Sequence, residues 1–121
     1  MPRFRQLLVL AVSLTAGCLC SKWAKAHAIL LESQPVARAT VPPGPSAIRL
    51  RFNSRIDHAR SRLALRTGQA ETALALDPAS PADVLAASTT LAPGAYVLRW
   101  QVLAVDGHIT RGDVPLTVRA P

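Results

Sequence analysis

Four breaks rich in proline and glycine, VPPGPS (41–46), TGQ (67–69), DPASPAD (77–83) and APG (92–94), divide residues 27–121 into short apolar runs. Proline has no ladder donor and glycine takes backbone angles closed to other residues, so each break predicts a chain reversal. None of the runs keeps a helical period for long. In AIRLRF (47–52), Ile48, Leu50 and Phe52 alternate with Arg49 and Arg51, the pattern of a strand with one face in a core and the other in water. Comparable runs predict strands at 28–32, 47–52, 62–66, 72–76, 84–87, 96–105 and 114–119. About seven strands in so short a stretch predict an all-β fold, an antiparallel Greek-key β-sandwich or a small barrel. A helical reading stays open only for the alanine-rich 70–76 and 84–87. No repeat or linker divides the stretch.

Upstream, the chain reads as a secretory signal peptide. Arg3 and Arg5 precede an apolar run from Leu7 to Ala16, followed by Ala24 and Ala26 around Lys25. The run is shorter than the roughly 20 residues of a transmembrane helix, and no later stretch is long enough to span. Cleavage is therefore expected after Ala26, with residues 1–26 as leader and 27–121 as the exported domain. An alternative starts from TAGC (15–18), which imitates a lipoprotein processing site and would make Cys18 the lipidated terminus. Of the 14 Lys and Arg residues, Arg3, Arg5, Lys22 and Lys25 fall in the leader, leaving 10 against all 7 acids, a net +3 rather than +7. The basic balance is thus mostly an export signal, and nucleic-acid binding loses its support. Cys18 and Cys20 leave with the leader, so no disulfide supports the domain and its core must hold it alone.

Cleavage after Ala26 makes His27 the first residue, offering its amine and its ring Nδ1 to one ion. The run YVLRWQVLAV leads into Asp106, Gly107 and His108. If the two-residue period continues past Val105, Asp106 and His108 project to the same side. By itself Asp-Gly-His is a weak signal and reads first as a turn with two exposed polar residues. With His27, these residues supply three nitrogens and a carboxylate oxygen, a set suited to a tetragonal Cu(II) centre and able to take zinc.

The terminal HAILLESQPVARATV, the strand IRLRFN, the run LAPGAYVLRWQVLAVDGHITRG and the closing VPLTV together resemble the CopC family of periplasmic copper-binding proteins. The resemblance implies a cupredoxin-like or Ig-like sandwich holding one Cu(II) per chain at His27, Asp106 and His108. It also implies a role in copper tolerance or delivery, with a CopD-like inner-membrane permease as partner and a monomeric carrier. One departure concerns the glutamate that many members carry after the strand corresponding to IRLRF; here Phe52, Asn53, Ser54 and Arg55 follow one another, and Asp57 is a candidate substitute. The exported stretch contains no methionine, so a methionine-rich Cu(I) site is not expected. Ala104 stands where serine is usual.

The other marked residues have plainer readings. His58 is expected as an exposed loop residue, or else as a transient copper ligand. Trp100 is expected in the core, and Tyr96 packs with its hydroxyl at the rim. Arg49, Arg51, Arg55, Arg60, Arg62 and Arg66 form either a solvated face or a dock for an anionic surface, and Arg111 and Asp113 are loop charges. Two other function classes compete with a copper carrier. One is a metal-free β-sandwich interaction module, favoured if Ser54 disables the site. The other is a terminal-histidine copper oxidative enzyme, disfavoured because Phe52, Tyr96 and Trp100 are the only aromatic residues after the leader and cannot build a flat substrate platform. The chain is therefore expected not to be an enzyme.

Overall fold

The computed structural model describes residues 27–121; the expected leader and Cys18 lie outside the described residues. Eight strands follow in order: β1 (Leu30–Gln34), β2 (Ala39–Val41), β3 (Gly44–Phe52), β4 (Arg62–Thr67), β5 (Ala70–Ala73), β6 (Val84–Leu91), β7 (Gly94–Leu103) and β8 (Ile109–Val118), with one 3-10 turn at His58–Arg60. They form a three-stranded sheet, β1-β3-β6, and a five-stranded sheet, β2-β8-β7-β4-β5. The fold is thus an all-β sandwich of two open sheets rather than a closed barrel.

Alternation builds the core. Ile48, Leu50 and Phe52 of β3 are buried at 2, 0 and 1 % exposure, while Arg49 on the same strand faces water. They pack with Leu85, Ala87 and Leu91 of β6 and, across the gap, with Leu63, Leu98, Trp100, Val102, Val114, Leu116 and Val118. Buried apolar area of this kind supplies the main drive to fold.

Several expectations need correction, among them the bounds of β1, β6 and β8, which run over 30–34, 84–91 and 109–118. A further strand, β2, was hidden by its length of three residues; it pairs parallel with β8, so the sandwich is not wholly antiparallel. β3 begins at Gly44, inside the expected break, because residues 44–46 already pair with 89–91 of β6. β5 lies at 70–73 rather than 72–76; of the two alanine-rich stretches left open to a helix, 84–87 is strand throughout and 70–76 is strand as far as Ala73. There, pairing with β4 and β3 overrides local helix propensity. Finally, the pleat of β7 stops at Leu103, short of Val105.

Candidate metal centre

Residues 104–108 connect β7 to β8. Gly107 N–H donates to the Ala104 carbonyl at 2.9 Å and Ala104 N–H to the His108 carbonyl at 2.8 Å, closing a tight turn. Gly107 sits at φ +89°, a conformation glycine adopts without a Cβ penalty. Asp106 and His108 therefore converge through this turn, not through a continued strand period. The His108 backbone N–H donates to Asp106 Oδ1 at 3.1 Å, and His108 Nδ1 meets Asp106 Oδ2 at 2.7 Å.

His27 reaches the same place from the other sheet. It belongs to an arm, residues 27–29, that runs into β1. Ala28 is fully buried in the core, while Ile29 N–H donates to Asn53 Oδ1 at 2.7 Å and Asn53 N–H to the Ile29 carbonyl at 2.9 Å. The His27 ring stands edge-on to His108, with centroids 4.4 Å apart and planes at 75°. One ligand atom each from His27, Asp106 and His108 lies within 4.8 Å of the others, and all three residues are open to solvent.

The backbone N–H of His108, ahead of the His108 ring and the charges of His108 and His27, holds the Asp106 carboxyl below the usual carboxylate range against a desolvation that acts the other way. An ionised carboxylate only accepts hydrogen bonds, so the proton between it and His108 resides on Nδ1, and Nε2 is the ring nitrogen that Asp106 does not engage. Two imidazoles and an ionised carboxylate form a donor set that matches Cu(II) and Zn(II) better than the all-oxygen cations.

Elsewhere the structure reassigns several residues. His58 is half-buried rather than exposed, and its Nε2 donates to the Val84 carbonyl at 2.7 Å, pinning the 3-10 turn to β6. Asp57 caps that turn: its Oδ1 accepts from Arg60 N–H at 3.2 Å and its Oδ2 lies 3.9 Å from Arg60 Nε, and it is not one of the three residues that converge. Ser54 is half-buried and its hydroxyl has no hydrogen-bond partner. Ala104 is buried at 2 % exposure. Trp100 lies in the core, T-stacked on Phe52 at 5.1 Å, and Tyr96 directs its hydroxyl to the Ala92 carbonyl at 2.7 Å.

The six arginines do not form one cluster. Arg49 and Arg51 lie on β3, where Arg51 pairs with Glu32 at 2.7 Å, whereas Arg62 and Arg66 lie on β4 of the other sheet. Arg111 and Asp113 are not loop charges but members of β8. Arg111 Nε donates to Gln101 Oε1 at 2.7 Å, and Asp113 lies 3.5 Å from Arg99, which also meets Glu71 at 3.5 Å. Asn53 stood in the sequence only as the last residue of the IRLRFN run, with nothing there to pair it with Ile29.

Comparison with known proteins places this geometry in context. The CopC domain family matches residues 30–119. Protein YobA of Escherichia coli strain K12 is 31 % identical over 116 residues, covering 91 % of each chain. Among solved structures, CopC from Methylosinus trichosporium OB3b superposes with a TM-score of 0.67 at 29 % identity, covering 78 % of this chain and 95 % of the other. PcoC, a methionine-rich copper resistance protein from Escherichia coli, superposes with a TM-score of 0.63 at 24 % identity, covering 78 % and 100 %, a likeness of fold. With the family match spanning both sheets and the hairpin that carries Asp106 and His108, the chain belongs to the CopC family.

Proposed function

We propose that the chain is a periplasmic Cu(II)-binding protein that sequesters or delivers copper, holding one ion per chain through His27, Asp106 and His108. The observation that carries this reading is the convergence of those three side chains from two different sheets on one solvent-exposed point. Residues so far apart in sequence meet there only because the arm before β1 and the β7–β8 turn are both anchored. Cleavage after Ala26 would add the amine of His27 as a third nitrogen, closing a chelate ring with its own Nδ1. Cu(II) is favoured over Zn(II) by the general order of affinities at mixed nitrogen and oxygen sites. The Asp106 carboxylate fills a coordination position that an oxygen-activating enzyme would keep open, which supports a carrier over an oxidative enzyme.

Ile29, Val105 and Ile109, each within two positions of a member of the trio, are exposed at 58, 69 and 54 %. Apolar residues beside an open metal centre suit transfer to a partner, and a CopD-like inner-membrane permease is the partner we propose for a monomeric carrier. Among the described residues no helix is long and apolar enough to cross a membrane, so a transport step would belong to that partner.

Calorimetric titration of the exported protein with Cu(II) and Zn(II) tests the reading. One equivalent of Cu(II) is expected to bind, more tightly than Zn(II). Affinity should fall from neutral to mildly acidic pH, because amine and imidazole nitrogens must lose protons to bind while Asp106, with its lowered pKa, stays ionised. Absence of Cu(II) binding would favour the metal-free interaction module. Oxygen consumption by the copper-loaded protein with a reductant would favour the enzyme.

A further inference from the structure

We infer that Asn53 is a positioning residue for this centre, clamping the terminal arm so that His27 faces Asp106 and His108. The inference rests on the ligand reading proposed above. The β1–β3 ladder reaches Leu30 and Phe52 at this end and is already irregular between Leu30 and Glu32. Residues 27–29 therefore lie outside β1, and two anchors fix them. Ala28 is buried at 0 % exposure, but a methyl side chain sets only the depth of the arm. It leaves the arm free to turn about its own axis, which would swing His27 off the centre.

Asn53 removes that freedom by holding both polar groups of the next residue. Its Oδ1 accepts from Ile29 N–H at 2.7 Å, and its own N–H donates to the Ile29 carbonyl at 2.9 Å. Two bonds, one on each flank of the Ile29 Cα and both to Asn53, fix its rotation, and with it the direction in which His27 leaves the arm. Asn53 is itself exposed and contributes no buried apolar area, so its loss should disturb the arm far more than the core. The backbone half of the clamp survives any substitution except proline; the side-chain half needs an acceptor. Asparagine and aspartate provide one, and leucine does not.

The test uses Asn53→Leu, Asn53→Asp, His27→Ala and the double variant His27→Ala/Asn53→Leu. Three quantities are read: Cu(II) affinity, melting temperature, and hydrogen exchange of the Ile29 amide without metal. Asn53→Leu is expected to weaken Cu(II) binding about tenfold, as loss of a residue that orients a ligand does. It should also speed Ile29 amide exchange while the melting temperature stays close to that of the parent. Asn53→Asp should restore both affinity and protection. In the His27→Ala background, Asn53→Leu should cost no further affinity, since the ligand it positions is gone.

Unchanged affinity or unchanged Ile29 exchange in Asn53→Leu overturns the inference. So does an equal loss in the His27→Ala background, which would show an effect through the fold at large. The ligand reading fails separately: if His27→Ala binds Cu(II) as tightly as the parent, His27 is no ligand and Asn53 has nothing to position. If His27→Ala weakens binding while Asn53→Leu does not, the ligand set stands and only the clamp falls.

Discussion

Replacing His108 with alanine is expected to lower Cu(II) affinity by roughly a hundredfold or more, since even residues that merely orient ligands cost about 10- to 100-fold. Three losses coincide. The imidazole itself disappears; Asp106 loses the ring that holds its Oδ2 at 2.7 Å; and His27 loses the edge contact at 4.4 Å that sets its ring beside the centre. The backbone N–H of residue 108 remains, so Asp106 keeps its contact to Oδ1 and the turn stays closed through Gly107 and Ala104. His108 is exposed, and the melting temperature should barely move. Titration of the variant beside thermal unfolding checks both halves. Parent-like affinity in a folded variant would remove His108 from the site.

Gly112→Ala is expected to do the opposite, destabilising the fold and leaving the chemistry of the ligands untouched. Glycine inside a strand is ordinarily worse than alanine by about 0.5–1 kcal/mol, so local propensity alone would make this substitution stabilising. Packing reverses the sign. Gly112 pairs with Trp100 across β7 and β8, and a Cβ at this position would lie 2.4 Å from Trp100 Cζ2, 2.6 Å from Cε2 and 2.9 Å from Nε1. The indole cannot retreat, because it is buried and T-stacked on Phe52 at 5.1 Å.

Overpacking of this kind costs about 1–3 kcal/mol, and a rigid ring places this case near the upper end. After the propensity gain, a net loss of roughly 2 kcal/mol remains, or about 8–16 °C in melting temperature for a domain of this size. A phenyl ring has no atom where Cζ2 lies, so Trp100→Phe should reduce the cost of Gly112→Ala in a double-mutant cycle. Equal costs in the two backgrounds would show that the indole is not the obstacle.

Legibility in the sequence followed how local each feature is. AIRLRF announced β3 because alternation along one strand needs no partner, and Ile48, Leu50 and Phe52 are buried as expected. β2 announced nothing: three residues carry no period, and only parallel pairing with β8 makes them a strand. The break at 41–46 was overread, since proline and glycine there lead directly into a strand that β6 accommodates. Asp106 and His108 were legible as neighbours two apart, although a turn rather than a strand period joins them. Their meeting with His27 was expected from the donor chemistry of a histidine terminus and from the likeness to a family, since no spacing along the chain joins them. The role of Gly112 was illegible because it acts through Trp100 on another strand, and that of Asn53 because it acts through Ile29 in the arm before β1. The arginines misled for the same reason: β3 and β4 are consecutive in the chain but enter different sheets.

The copper centre proposed above would hold one ion per chain and include the histidine that cleavage after Ala26 exposes. Native mass measurement of the exported protein, with and without one equivalent of Cu(II), tests it most directly. The expected result is a chain beginning at His27 that retains a single copper, and loses it when one residue is added ahead of His27. A chain beginning at a lipidated Cys18, or one beginning at His27 that retains no copper, would contradict it.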